Sequence, residues 1–348
     1  MRYILPVYTL CHGGAQRMIA ELTNRLVDTG HEVLIVMPSQ GVVEYEIKAR
    51  ILQVKETILQ SRHIPKGDVI LSNFYTTAYP AQQASEEGKG LHVRLSLCYE
   101  PTFLRDNQYS FPSYHLTPHL LVLSRWQQDM IFLNHGIKGR IVPIGVSHFF
   151  QNMQIREQLN GPLSITSIYR KEEGDFSWHR EQKYLLAELD LVKAAHPEVT
   201  LNLITPPGEY ADSKDIQFLQ STGKYNIFTP ENDEELRYHY NQTDIYVSSG
   251  SYDTGSLPGL EAMRCGAALV ACYSGGNTEY AVHERNCLMS YRYENRLAKD
   301  VIRLIEDDHL RLKLAKNGER DSNVFTWEKS YSELERIVND IVSRAHAN

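Results

Sequence analysis

Short apolar runs alternate with helix-period patterns twice along this chain, and that double alternation is the feature that most constrains its fold. Residues 2–8 are mostly apolar and read as a buried strand. After Gly13 and Gly14, residues 15–28 place Met18, Ile19, Leu22 and Leu26 at helical spacing. Gly30 ends that helix and residues 32–37 resume as a strand, which makes a βαβ opening with its turn at the carboxyl end of the first strand. Residues 69–72, 92–97 and 120–123 read as further strands, Ser124 can cap a helix beginning at Arg125, and residues 140–143 read as the last strand of the first half. The second half repeats the scheme. Strands are expected at 164–169, 199–205, 225–229, 244–249 and 268–273, and helices at 182–195, 233–240 and 257–265, with three more from 294 onward. The implied fold class is α/β, with two doubly wound, mostly parallel Rossmann-like sheets. Residues 1–150 form one domain and 160–325 the other, with a polar, irregular linker between.

A chain of 348 residues is long enough for two such cores. The composition, 42% hydrophobic and 23% charged, is that of a globular protein, and no apolar run is long enough to span a membrane. Five irregularly spaced cysteines without a CxxC pair favour a reducing, cytoplasmic compartment. The net charge is −7, with a slight basic excess in the first 150 residues and an acidic excess beyond. That pattern lacks the clustered basic face of a nucleic-acid binder. The basic excess of the first half permits, without demanding, peripheral contact with an anionic membrane.

The chemistry concentrates in Asp253-Thr-Gly-Ser256-Leu257-Pro-Gly-Leu-Glu261. Two carboxylates flank a turn that leads into a short helix. A helix N-terminus offers unpaired N–H groups to an anion, and carboxylates accept hydrogen bonds from sugar hydroxyls. Glu261 falls within an apolar helical pattern, where a carboxylate needs a partner. Ligands of doubly wound sheets bind at the carboxyl ends of strands, so the default site is the cleft between the two domains. Other loops at such ends carry Gly13-Gly14, Arg170 with Lys183, Gly275-Gly276-Asn277-Thr278, and Tyr99-Glu100. The two cations suit a diphosphate leaving group. The glycine turns allow close backbone approach, and Glu100 suits an acceptor or donor sugar. Each also has a plain reading, as a strand–helix turn or a surface charge. The fourteen histidines form no HExxH or H-x-H pair, and no GxSxG or GxGxxG is present. A metal, a nicotinamide cofactor and a serine triad are therefore not indicated.

These residues resemble the retaining family-four glycosyltransferases of the GT-B fold, in order along almost the whole chain. His12-Gly13-Gly14-Ala-Gln-Arg17 is similar to that family's opening glycine motif, and Val142-Pro-Ile-Gly-Val146 to the strand entering the linker. The stretch from Asp253 to Glu261 corresponds to its two-carboxylate motif. Phe325-Thr-Trp-Glu328 resembles the start of the closing helix, 327–348, which in this fold crosses back onto the first domain.

The resemblance implies roles. Glu261 would bind the donor ribose and Asp253 would contact the donor sugar. Arg170, Lys183 and the helix start at Ser256 and Leu257 would hold the diphosphate. Gly13-Gly14 would meet the phosphates from the other domain, and Gly275, Gly276, Asn277 and Thr278 would lie at the sugar end. Tyr99 and Glu100 would lie toward the acceptor. It implies a nucleotide-diphosphate sugar as co-substrate, no cofactor or metal, and a glycan, lipid-linked or small acceptor in bacterial polysaccharide or cell-surface glycan synthesis. Localisation would be cytoplasmic, at most at the inner face of the membrane. Two departures stand out. Asp253 occupies a position usually held by Glu, and the family's mid-domain histidine is missing around Cys98-Tyr99. They keep open a catalytically silent GT-B subunit that scaffolds a partner enzyme. A GT-B epimerase fits the two-carboxylate motif less well.

Overall fold

Strands buried on both faces must be apolar almost throughout and covered by helices on each side, and both halves of the chain meet that condition. The computed structural model describes residues 1–104, 106–158, 161–171 and 178–347. It divides into two units, Met1–Gly145 with Phe325–Asn348, and Val146–Val324.

In the first unit the elements run β1 (Arg2–Pro6), α1 (Gly14–Asp28), β2 (Glu32–Pro38), β3 (Arg50–Val54), β4 (Val69–Ser72), α2 (Tyr75–Glu86), β5 (Leu91–Leu95), β6 (Leu120–Val122), α3 (Arg125–His135) and β7 (Arg140–Ile141). The seven strands are parallel and lie in the order β3-β2-β1-β4-β5-β6-β7. Ser124 caps α3 by accepting the Gln127 N–H at 3.2 Å, and Gly136 ends it in the left-handed conformation at φ 68°. Sequence periodicity does not reveal β3, whose half-exposed residues neither alternate nor run apolar, or α2, which carries Pro80 in its interior.

The second unit contains β8 (Ser164–Ile168), α4 (Gln182–Ala195), β9 (Thr200–Ile204), α5 (Pro207–Asp212), α6 (Lys214–Ser221), β10 (Asn226–Phe228), α7 (Asp233–Asn241), β11 (Ile245–Ser248), α8 (Leu257–Arg264), β12 (Ala268–Cys272), β13 (Cys287–Ser290), α9 (Leu297–Glu306) and α10 (Asp308–Ser322). Its six parallel strands take the order β10-β9-β8-β11-β12-β13. Leu185, Leu189 and Val192 of α4, with Val301, Leu304 and Leu314 from α9 and α10, build the core with Leu201, Leu203, Ile245, Val247 and Val270 of the sheet.

α11 (Trp327–Ala347) belongs to the first unit. Arg25 pairs with Glu328, Arg140 reaches Asp340 at 2.6 Å, and the Tyr331 hydroxyl donates to Thr29 at 2.7 Å. A Cβ at Gly145 would stand 2.4 Å from the backbone of Thr326 and Trp327, so only glycine lets α11 start there. The boundary falls at Gly145 rather than 150. Residues 146–150 pack on the second unit, where Arg264 meets His148 at 2.9 Å and the Phe150 ring lies 6.1 Å from Tyr240.

Candidate functional site

In both sheets the strand order reverses beside the first strand, between β1 and β4 and between β8 and β11. The carboxyl ends of such a pair are where an open α/β sheet leaves room for a ligand. In the second unit the helices that follow these two strands begin in the same uncommon way. α4 starts at Glu181 (φ 50°) and α8 at Ser256 (φ 51°), both non-glycine residues in the left-handed region and both without a side-chain cap. Holding such a residue costs about 1–3 kcal/mol unless its surroundings enforce it. Of the unit's other helices, the short α5 opens on Pro206-Pro207 and also lacks a side-chain cap, in ordinary extended backbone, whereas the remaining four are answered by side chains. Ser213, Asn232 and Asp307 cap α6, α7 and α10, and the Glu188 carboxylate accepts the Ala298 N–H of α9 at 2.7 Å. The two uncapped starts at the reversal point, both strained, are where the unit is best suited to take an anion.

The loop before α8 shows what enforces the strain. The Ser256 hydroxyl donates to Asp253 Oδ2 at 2.9 Å and lies 2.9 Å from the Ser274 hydroxyl. The Ser256 carbonyl accepts the buried Tyr280 hydroxyl at 2.7 Å. Asp253 Oδ1 accepts the Gly255 N–H at 3.3 Å, so this carboxylate is turned onto its own loop. Each oxygen keeps a second lone pair for a sugar hydroxyl. The Gly275-Gly276 turn is bridged to Asp253 through the Asp253 N–H to Ser274 and the Gly276 N–H to Asp253, both 2.7 Å. A Cβ at Gly276 would fall 2.1 Å from the Thr254 carbonyl oxygen, which explains that glycine by packing alone. Asn277 and Thr278 are used inside the same turn. Asn277 Nδ2 donates to Cys272 O at 2.7 Å and Oδ1 accepts from Ser274 N at 3.1 Å, and the Thr278 hydroxyl donates to Gly275 O at 2.6 Å. Their side chains shape the loop that carries Asp253.

Glu261 is buried on α8 and accepts the hydroxyl of fully buried Tyr240, on α7, at 3.2 Å. Burial first, then the charge of Glu261, pushes that phenol well above its ordinary value, so Tyr240 stays protonated and donating. The same two causes push the neighbouring Cys265 thiol up to about 12.

The loop after β8 supplies the cations. Gln182, the first residue of α4, accepts the Arg170 N–H at 2.6 Å and donates to the Arg170 carbonyl at 2.7 Å. The Arg170 guanidinium pairs with Glu209 of α5, with Nε donating to Oε1 at 2.8 Å. Burial raises the Glu209 carboxyl, and the Arg170 hydrogen bond and charge outweigh it to hold the group below the usual range. Lys183 is exposed in the first turn of α4 and has no side-chain partner among the described residues. The Ser249 hydroxyl donates to Arg180 O at 2.8 Å, and Ser251 N–H donates to His179 O at 2.9 Å, which ties the β8 and β11 loops together. Residues 172–177 of the former loop lie outside the described residues.

Sequence reasoning passes over Tyr240, Glu209 and Gln182. All three sit at ordinary helix positions, and only the tertiary fold brings them to Glu261 and Arg170.

In the first unit, Gly13 opens α1 in an extended conformation (φ 174°) that any residue adopts. Its N–H donates to the Tyr45 hydroxyl at 2.9 Å, and that hydroxyl donates back to the Gly13 carbonyl at 3.0 Å. Gly14 is exposed. The expectation that Tyr99 and Glu100 face an acceptor is corrected. Both are buried, Glu100 completely. Arg94 spans the two Glu100 oxygens at 3.1 Å each, and the Tyr114 hydroxyl donates to the same carboxylate. Tyr99 places its hydroxyl 2.9 Å from His135.

No group of three or more His, Cys, Asp or Glu suited to a metal occurs among the described residues. No helix among them is long and apolar enough to cross a membrane.

Residues 174–321, almost all of the second unit after its first strand, match the family model of glycosyl transferases group 1. An uncharacterized glycosyltransferase of Methanocaldococcus jannaschii is 21% identical over 243 residues, 64% of this chain and 69% of that one. Sucrose-phosphate synthase from Thermosynechococcus elongatus superposes with a TM-score of 0.81 at 15% identity, covering 99% of this chain and 100% of that structure. Anabaena HepE in complex with UDP and glucose gives a TM-score of 0.76 at 15% identity, covering 98% and 100%. The whole chain therefore has the GT-B fold of these structures, and its second unit, which carries the uncapped helix starts, is similar to the glycosyl transferases of group 1.

Proposed function

We propose that the second unit binds a nucleoside diphosphate sugar at the carboxyl edge of β8 and β11, and that the sugar is transferred with retention of configuration and without a metal. The observation that carries this reading is the pair of uncapped helix starts, α4 and α8, beside a buried carboxylate. The N–H groups opening α8 and the ammonium of Lys183 would meet the diphosphate and stabilise the charge that develops as it leaves. Arg170, already oriented by Glu209 and Gln182, adds a second fixed cation. Glu261 would accept hydroxyls of the ribose. Asp253 would set the cap of α8 through Ser256 and offer its remaining lone pairs to the donor sugar. In a retaining transfer the acceptor hydroxyl attacks from the leaving-group side, with its proton passing to a phosphate oxygen. The acceptor is a glycan, a lipid-linked sugar or a small molecule in bacterial surface-polysaccharide synthesis, reached from the cytoplasm.

Uridine diphosphate is the first probe, since HepE was solved with it. The thermal midpoint should rise with one nucleoside diphosphate of a panel, and the matching nucleotide sugar should be slowly hydrolysed. Glu261→Ala should weaken nucleotide binding roughly 10- to 100-fold, the scale of hydrogen bonds to a charged group. Stabilisation by no nucleotide would end this reading. Binding with no hydrolysis and no transfer would favour a silent scaffolding subunit.

A further inference from the structure

Three tyrosines stand in a parallel stack on the carboxyl rim of the second sheet. Tyr273 directly follows β12 and Tyr291 directly follows β13, and the Tyr273 N–H pairs with Ser290 O at 3.1 Å, so adjacent strand ends set the rings side by side. Tyr273 and Tyr291 stack with centroids 4.5 Å apart at 27°, and Tyr291 and Tyr293 at 5.8 Å and 20°. The outer members are open to solvent, Tyr291 by 53% and Tyr293 by 78%.

The loop that presents them is held rigidly. Between the two exposed rings, Arg292 lies 3.6 Å over the Tyr184 ring and pairs with Glu181 at 3.2 Å, and both of these partners belong to the start of α4. The Tyr291 N–H donates to Glu294 Oε2 at 2.6 Å, and Arg292 donates to Asn295 Oδ1 at 2.9 Å. An ordered, exposed tyrosine stack offers large amphipathic area with little entropy left to lose on binding.

We infer that Tyr293, backed by the stacked rings of Tyr291 and Tyr273, forms the outer end of a platform for the apolar face of a sugar ring within an oligosaccharide, beyond the sugar being transferred. Two features select a sugar. The platform's inner ring immediately precedes Ser274, whose hydroxyl and carbonyl hold the Ser256–Asp253 loop, so it is continuous with the transferase edge. A flat ring edged by a phenol hydroxyl also complements a pyranose, which has a C–H face and a polar rim. The inference deepens the proposed function by assigning the acceptor class as an oligomeric glycan.

The test is affinity electrophoresis of the full chain through gels containing dextran, galactan, mannan or rhamnan in turn. At least one polysaccharide should retard the protein. The Tyr291→Ala/Tyr293→Ala double variant should bind it about tenfold more weakly, as loss of two stacked rings predicts. Phe218→Ala, which removes an equally exposed ring on α6, should be retarded like the parent. Both variants should keep the uridine diphosphate thermal shift, which also shows that they are folded. Retardation by none of the four, or equal retardation of the double variant, overturns the inference. So does loss of the nucleotide shift in the double variant, which would mark a base-stacking surface, and so does a drop in its mass in solution, which would mark a contact between copies. If no nucleotide shifts the parent, the donor-site reading fails separately while polysaccharide retardation still decides the platform.

Discussion

Glu100 and Glu261 are both buried carboxylates that accept the hydroxyl of a fully buried tyrosine, Tyr114 in the first unit and Tyr240 in the second. What surrounds them differs. Glu100 faces Arg94, as buried as itself, and Arg94 in turn reaches the Ser113 hydroxyl at 2.7 Å and lies 3.9 Å over the Tyr114 ring. Charge and shape are answered within the unit, and the two terminal nitrogens of Arg94 are hydrogen-bonded while its buried Nε is not. Glu261 sits one turn into a helix whose own start is strained and uncapped. A buried acid alone therefore does not mark a site. An acid beside a strained, uncapped helix start is the better candidate, because holding Ser256 in the left-handed region has a cost that a bound anion would offset.

The largest test of this contrast removes each acid. Glu100→Ala strands the buried Arg94 guanidinium, and breaking a buried pair from one side costs about 3–5 kcal/mol. Urea unfolding should show that loss. Glu261→Gln keeps an acceptor for Tyr240 and should cost far less stability while weakening nucleotide binding. Equal stability losses from the two variants would break the distinction.

A second test uses acid. Burial first, then the charges of Arg94 and His119, depresses the His92 imidazole to about 3, where it is held between Ser72 (2.8 Å) and Gln82 (3.0 Å). Burial, then His115 and Arg94, lowers His135 to about 4. Both belong to the first unit. The unfolded chain protonates these rings near pH 6.5 while the folded unit does not. The unfolded state therefore binds more protons, and stability is lost as pH falls from about 6.5 toward 4. His92 alone contributes as much as about 1.4 kcal/mol per pH unit in that window. Asp244 of the second unit is raised, chiefly by burial, and acts in the opposite sense. The thermal midpoint followed from pH 7 to 4 should fall, and less steeply in His92→Gln. An unchanged slope would remove the histidine from the account.

The alternation that organises both sheets was legible because buried parallel strands leave apolar runs and their crossover helices leave a 3.6-residue period. β3 and α2 were not, since a half-exposed edge strand and a helix with an internal proline carry neither signal. At the site, residue types and spacing singled out Asp253, Ser256, Glu261 and Lys183. They could not show that Asp253 points into its own loop, that Glu209 holds Arg170, or that Asn277 and Thr278 are consumed in the turn. Those outcomes depend on which side chains the fold brings within 3 Å. Tyr99 and Glu100 show the converse. A loop acid after a strand has the same sequence signature whether it faces a ligand or a buried arginine.

Lys183 gives the smallest effect and the sharpest sign. A cation in the first turn of a helix opposes the partial positive charge there, where acidic residues are favoured. Lys183 occupies that turn of α4 without a partner among the described residues, and the turn contains no acid. Replacing it with alanine should therefore raise stability by a few tenths of a kcal/mol. The same change should weaken nucleotide diphosphate binding about tenfold, with less dependence on salt, because one charge contact is gone. Denaturant midpoints and nucleotide titrations at two ionic strengths would read both effects. A residue kept for folding would show the opposite stability sign. A gain in stability coupled to a loss of binding would place Lys183 with Ser256, among the features whose cost to the fold is balanced only when an anion occupies the edge. A variant that loses stability and binds nucleotide normally would return Lys183 to the surface charges and leave the anion to α8 and Arg170.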